Sequence, residues 1–298
     1  MEINLEKVQA LCERVIGKKY SSIKRMGGLT NYTYHVAVED GKEYVVRLPG
    51  EGTEALINRS EEKISTKLAC DLDLDAECLY FGEDGSKVTA YIPDAVTMSA
   101  DSLKEELHIR QIAEIFQRLH TSGVNTGVAF DVFDMAAAYE NIITEKEVPM
   151  YKDYPEVKKA VMKIKREIDQ ICRISIVPCH NDGLCENWVT QGKTGRMYLI
   201  DWEYAGMNDA MWDLADVSIE AVYDQFLDAV LLKEYLGREP EDLDWKHFLA
   251  AKIYVDFLWT LWAKTRVPYD GQPMEDWAAK RYDRLKKNIE TYQNIQGE

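Results

Sequence analysis

The segment His180-Asn181-Asp182-Gly183-Leu184-Cys185-Glu186-Asn187, followed by Ile200-Asp201-Trp202-Glu203-Tyr204, concentrates the residue types that phosphoryl transfer requires. A nucleoside triphosphate brings several negative charges, so hard oxygen ligands and a divalent ion must neutralise them while an acceptor hydroxyl is held in line. Asp182 and Asn187 stand at Asp-x4-Asn spacing, with the Asp suited to face the hydroxyl and the Asn to hold Mg²⁺. Asp201 ends an apolar strand where a second metal-binding carboxylate is needed. Any one of these alone reads as a polar loop cap; three in order between expected strands point to chemistry.

These residues need a scaffold. Residues 4–16 carry an apolar helical face (Leu5, Val8, Leu11, Cys12, Val15, Ile16), with Asn4 as N-cap and Gly17 as stop. From Tyr20 to Leu48 the pattern alternates and turns at Asp40-Gly41, which predicts a β-meander. A helix over about 54–70 follows, then two strands around Glu83-Asp84-Gly85-Ser86. Beyond Pro93-Asp94 helical spacing dominates, over about 102–121, 133–146, 155–173, 210–235, 244–265 and 274–293. A short β-insert interrupts it at Ile174–Val177, Trp188–Thr190 and Met197–Ile200. The expectation is an α+β chain with a β-rich lobe at 1–93, a helical lobe at 94–298 and a cleft between them.

With 46% hydrophobic residues the chain can bury a large core, and 36 Lys and Arg against 52 Asp and Glu leave a net charge of −16. That balance argues against nucleic acid or an anionic membrane as partner. No run reaches the ~18 to 20 apolar residues of a membrane helix, and the acidic N-terminal segment lacks the pattern of a secretory signal, so a cytoplasmic location is expected. Six scattered cysteines without CxxC pairs predict reduced thiols, with neither zinc site nor disulfide framework.

The pair HNDGLCEN and IDWEYAGMNDAMWDLA resembles the phosphotransferase motifs of the choline and ethanolamine kinase family, within the aminoglycoside phosphotransferase-like superfamily, and the similarity runs through most of the chain. The resemblance implies a protein-kinase-like bilobal fold and an ATP- and Mg²⁺-dependent transfer to an alcohol. Asp182 is then the catalytic base or hydroxyl-orienting residue, Asn187 and Asp201 the Mg²⁺ ligands, His180 a loop support, and Asp213 the buried carboxylate that holds catalytic-loop amides. Met26-Gly27-Gly28-Leu29-Thr30-Asn31 is similar to the family's Gly-Gly-x-(Ser/Thr)-Asn, which implies that Gly27, Gly28, Thr30 and Asn31 cover ATP phosphates. Arg47 takes the place of the phosphate-pairing kinase lysine and Glu62 that of its partner, with Glu61 a near alternative. Thr89 to Ile92, including Tyr91, resembles the hinge that contacts adenine.

Trp259 and Trp262, three apart on an expected helix, share a face, and Trp277 follows on the last helix. Aromatic faces attract a quaternary ammonium at about 0.5 to 2 kcal/mol per contact. Core tryptophans at helical spacing are the bland alternative, but FLWTLW resembles the paired-tryptophan helix of choline kinases, and Tyr204 and Glu220 match positions lining their choline pocket. The implied acceptor is choline. Ethanolamine, thiamine, an aminoglycoside and a catalytically silent choline-binding module are the rivals, and oligomeric state is left open.

Overall fold

The computed structural model describes residues 2–26, 31–50 and 57–295. They form two compact units, one of residues up to Ser99 together with Cys185–Gly206, the other of Ala100–Leu184 and Met207 onward. The single break expected at 93/94 thus differs from the observed partition, and strand pairing explains why. β6 (Ala95–Thr97) pairs antiparallel with β8 (Trp188–Gln191), which pairs in turn with β9 (Met197–Leu199), so the later segment joins the first unit.

The first unit is centred on an antiparallel five-stranded sheet of order β1-β2-β3-β5-β4: β1 (Tyr20–Arg25), β2 (Asn31–Val38), β3 (Glu43–Pro49), β4 (Cys78–Phe81) and β5 (Lys87–Ala90). Alternation along β2 and β3 puts Tyr34, Val36, Val38, Tyr44, Val46 and Leu48 on one face, where they meet Val8, Leu11 and Cys12 of α1 (Glu2–Ile16). Each fully buried Val or Leu here contributes about 1.5–3 kcal/mol. α1 already begins at Glu2, so Asn4 lies inside the helix rather than capping it, while Gly17 ends it at φ +68°. α2 (Arg59–Asp71) starts later than expected, after Asn58, whose side chain accepts the Ser60 N–H.

The second unit is helical: α3 (Glu106–His120), α4 (Val132–Glu145), α5 (Tyr154–Ile171), α6 (Ala210–Glu220), α7 (Gln225–Leu236), α8 (Asp242–Asp270) and α9 (Gln272–Ile295). α8 packs against α4, α5, α6 and α9. A two-stranded sheet joins β7 (Ile176–Cys179) to β10 (Gly206–Asp209). The helix expected over 210–235 is broken in two. Val222 adopts φ +54°, and Asp224 caps α7 by accepting the Leu227 N–H at 2.9 Å, which leaves Glu220 at the end of α6. Among the described residues no helix is long and apolar enough to cross a membrane, and all six cysteines are free thiols.

Candidate active site

In the first unit the β8–β9 hairpin sets two of the expected site residues side by side. The Ile200 N–H donates to the Asn187 carbonyl at 2.9 Å, one step beyond the Trp188–Leu199 pair, so Asn187 and Asp201 flank the same end of the ladder. Asp201 itself sits at φ +68°, a left-handed conformation that costs a non-glycine residue free energy and recurs at functional sites. The turn after it is fixed by Trp202, which is 1% exposed and donates Nε1–H to the Leu199 carbonyl at 2.9 Å. The Ser65 hydroxyl donates to the Ala205 carbonyl at 3.1 Å.

Arg47 is the hub of this unit. Its Nη1 donates to Asp201 Oδ1 at 3.1 Å, while Nη2 donates to Glu62 and to the Gly85 carbonyl at 3.1 Å. Glu62, buried on α2, is therefore the partner; Glu61 faces solvent. Arg59 bonds Glu62 Oε2 at 2.7 Å and lies 3.4 Å from Glu203 Oε2, which also accepts from Asn31 Nδ2 at 3.1 Å. Burial, reinforced by Asp201, pushes the Glu203 carboxyl up to about 7. Asp75 is likewise raised to about 6 by burial, against the opposing pull of Lys87. Gly85, at φ +85°, keeps the β4–β5 turn tight: a Cβ there meets Arg59 Cδ at 2.5 Å. Tyr91 and Ile92 leave β5, and the Tyr91 N–H is committed to the Glu43 carbonyl at 3.2 Å. Tyr204 is half-buried in this unit. Gly27, Gly28 and Thr30 lie outside the described residues.

Asn187 and Asp201 fit a hard divalent ion by donor chemistry, an amide oxygen and a carboxylate from residues that the Ile200 N–H to Asn187 carbonyl bond keeps at one end of the hairpin. The Asp201 side chain is 32% exposed and bonded to Arg47 through Oδ1, so it is not sealed in.

In the second unit two carboxylates of α6 grip the loop that carries Asp182. Asp213 Oδ2 accepts the His180 N–H at 2.8 Å and Oδ1 the Asn181 N–H at 2.7 Å; Asp216 Oδ2 accepts the Gly183 N–H at 2.7 Å. Asn181 adopts φ +66°, and its side chain and carbonyl are held by Asn208 at 2.9 Å and Trp212 at 3.2 Å. His180 Nδ1 accepts the Asp182 N–H at 3.3 Å. Gly183 is required by proximity: an added Cβ lies 2.6 Å from the Val217 nitrogen. Behind the loop, His120 spans Asp213 at 3.0 Å and the Tyr235 hydroxyl at 2.8 Å. Cys179 is close enough to make a metal-like trio with them, but burial holds its thiol protonated and both Asp213 oxygens serve backbone amides. Asp216 is pushed well above the usual carboxylate range by burial, then by Glu220 and Asp182.

The tryptophans also cluster in this unit. Trp259 and Trp262 meet edge to face with centroids 6.1 Å apart, and Trp262 meets Trp277 at 6.0 Å. Trp212 extends the run to Trp259 at 6.3 Å. Arg281 lies over Trp277, its Cζ 3.9 Å from the ring centroid, and bonds Glu220.

Sequence reasoning passed over Asp216, Arg59, Glu203, His120 and Arg281. For Asp216 and Arg281 a signal existed, because they follow Asp213 by three residues and Trp277 by four on single helices.

The family model for choline/ethanolamine kinase matches residues 23–263. The LicA protein of Haemophilus influenzae is 30% identical over 279 residues, covering 91% of this chain and 80% of that one. The crystal structure of choline kinase LicA from Streptococcus pneumoniae superposes with a TM-score of 0.84 at 32% identity, covering 97% of this chain and all of that one. A GDP complex of aminoglycoside 2'-phosphotransferase-IIIa aligns at TM-score 0.68 and 14% identity, a likeness of fold alone, over 96% of this chain and 98% of that one. A β-rich N-terminal part followed by a helical part is thus the protein-kinase-like architecture, and the chain belongs to the choline/ethanolamine kinase family, whose members transfer phosphate to an alcohol.

Proposed function

We propose that this enzyme phosphorylates choline with ATP and Mg²⁺ by direct in-line transfer. The observation that carries choline as acceptor is the continuous Trp259–Trp262–Trp277 run, joined to Glu220 through Arg281. A trimethylammonium group donates no hydrogen bond and gains its affinity from such π faces. Asp182 orients the choline hydroxyl and accepts its proton as the oxygen attacks the γ-phosphorus. The bond from that phosphorus to the β–γ bridging oxygen breaks and ADP departs, with no covalent enzyme intermediate. The clamp of Asp213 and Asp216 on the loop supports this role by fixing the backbone on both sides of Asp182.

Asn187 and Asp201 are the oxygen donors that would hold Mg²⁺, and a bound ion supplies neutralisation of phosphate charge. Arg47, held by Glu62, adds a fixed cation on the nucleotide side. Gly27, Gly28, Thr30 and Asn31 are assigned to the phosphates, Tyr91 and Ile92 to adenine, and Tyr204 to the choline side. With the Tyr91 N–H already used, an adenine contact at this residue falls to its carbonyl.

A second reading, ethanolamine as acceptor, draws on the carboxylates Glu220 and Asp256 close to Arg281. Coupled ADP-release assays with choline, ethanolamine, thiamine and an aminoglycoside separate these. Choline is expected to give the highest kcat/KM, and a preference for any other acceptor overturns the reading. Asp182→Asn is expected to lower kcat by roughly 10²–10⁴-fold with ATP binding unchanged; turnover like wild type sinks the assignment of Asp182.

A further inference from the structure

The acceptor side of the second unit contains a cation of its own. Arg281 follows Trp277 by one helical turn and stacks on its ring, with Cζ 3.9 Å from the centroid. It is only 4% exposed. One end of its fork bonds Glu220, and Nη1 lies 3.4 Å from Asp256 Oδ1. Trp277 and Glu220, both assigned to the substrate ammonium, are therefore already engaged by an internal guanidinium. Neutralising Asp256 does not explain why, because Arg284 bonds both oxygens of that carboxylate, at 2.7 and 2.8 Å.

We propose that Arg281 is a specificity-determining residue: by masking Glu220 it favours a quaternary over a primary ammonium substrate. A primary ammonium gains most from a carboxylate, to which it donates short charge-assisted hydrogen bonds. A quaternary ammonium has no N–H to give, so it loses little when the carboxylate is occupied and keeps the aromatic attraction of Trp259 and Trp262. Arginine suits the task because it stays charged throughout the working pH range, and its planar fork can stack and bridge at once. The discrimination thus works mainly against the wrong amine.

This inference rests on the acceptor reading above, and the test separates the two. kcat/KM for choline and for ethanolamine is measured in wild type, Arg281→Met, Arg281→Lys and Arg281→Met with Glu220→Gln, all at saturating ATP and with melting temperature recorded. Arg281→Met, which keeps length and removes charge, is expected to raise the ethanolamine-to-choline ratio roughly 10-fold, mostly through the ethanolamine KM. Lysine is expected to retain the wild-type ratio, and the added Glu220→Gln to abolish the shift. An unmoved ratio in Arg281→Met, or a shift that survives Glu220→Gln, overturns the proposal. Should Arg281→Met not fold, Glu220→Gln alone decides: a masked carboxylate predicts an equal change for both amines, and a loss confined to ethanolamine overturns the idea. A wild type that turns over neither amine overturns the acceptor reading as well. One active on choline with an unmoved ratio overturns this inference alone.

Discussion

Each unit buries an arginine between two carboxylates, but the two arginines are finished differently. Arg47 bonds Glu62, Asp201 and the Gly85 carbonyl, with Arg59 and Lys87 also within reach of Glu62. Arg281 shares Glu220 and Asp256 but lays its plane on an indole. The first arrangement gathers cations, as a polyanionic nucleotide needs. The second surrounds one cation with acids and π faces, as a cationic acceptor needs. An ion pair of the same composition therefore says little about its ligand until the groups that complete it are known.

That comparison breaks most sharply at Arg47. Arg47→Met leaves Glu62, at 1% exposure, with only Arg59 and the more distant Lys87 as cations, so the cost is expected to approach but not exceed the about 3–5 kcal/mol of a fully broken buried pair. Urea denaturation is expected to show a correspondingly lower midpoint and ATP turnover to vanish; a midpoint like wild type rules out the hub role. On the other side, Trp262→Ala removes the central ring of the run. It is expected to raise the KM for choline by roughly 2–30-fold, the range of one cation–π contact, and to leave the KM for ATP nearly unchanged. Equal changes in both count against an aromatic seat.

The smallest effect tests the loop clamp. Burial, Glu220 and Asp182 raise the Asp216 carboxyl, so the folded state prefers it protonated. Its stabilising contribution is complete below its ordinary pKa and is lost as pH rises through the elevated folded value. Asp216→Asn keeps an oxygen for the Gly183 amide and removes the charge. Its melting temperature is expected to exceed that of wild type at pH 8 by roughly 2–4 °C, with a smaller gain at pH 5. An equal gain at both values excludes the electrostatic explanation.

Much of the fold was legible where a pattern is local. The alternation of Tyr32 to Val38 and the helical face of residues 4–16 need only periodicity, and the ordered trio Asp182, Asn187 and Asp201 needs only spacing. The break within 210–235 was hidden because Ala221 and Val222 are neither glycine nor proline, and Val222 takes a conformation its type disfavours. β6 and β10, of three and four residues, are too short to alternate visibly. Glu61 and Glu62 differ only by one step of about 100° around a helix, and burial rather than residue type distinguishes them. Arg59 and Glu203 meet across 144 positions of chain, which no local pattern encodes.

The two-segment make-up of the first unit also has a consequence for synthesis. Thr97 must wait for Val189, about ninety residues downstream, before β6 finds its partner. At ribosomal speeds of about 5–20 residues per second the nascent chain carries an incomplete first unit for roughly 5–20 s. The half assigned to the nucleotide is begun first and closed only after Asp182 has been made, so premature termination before residue 185 leaves β6 without β8 and β9.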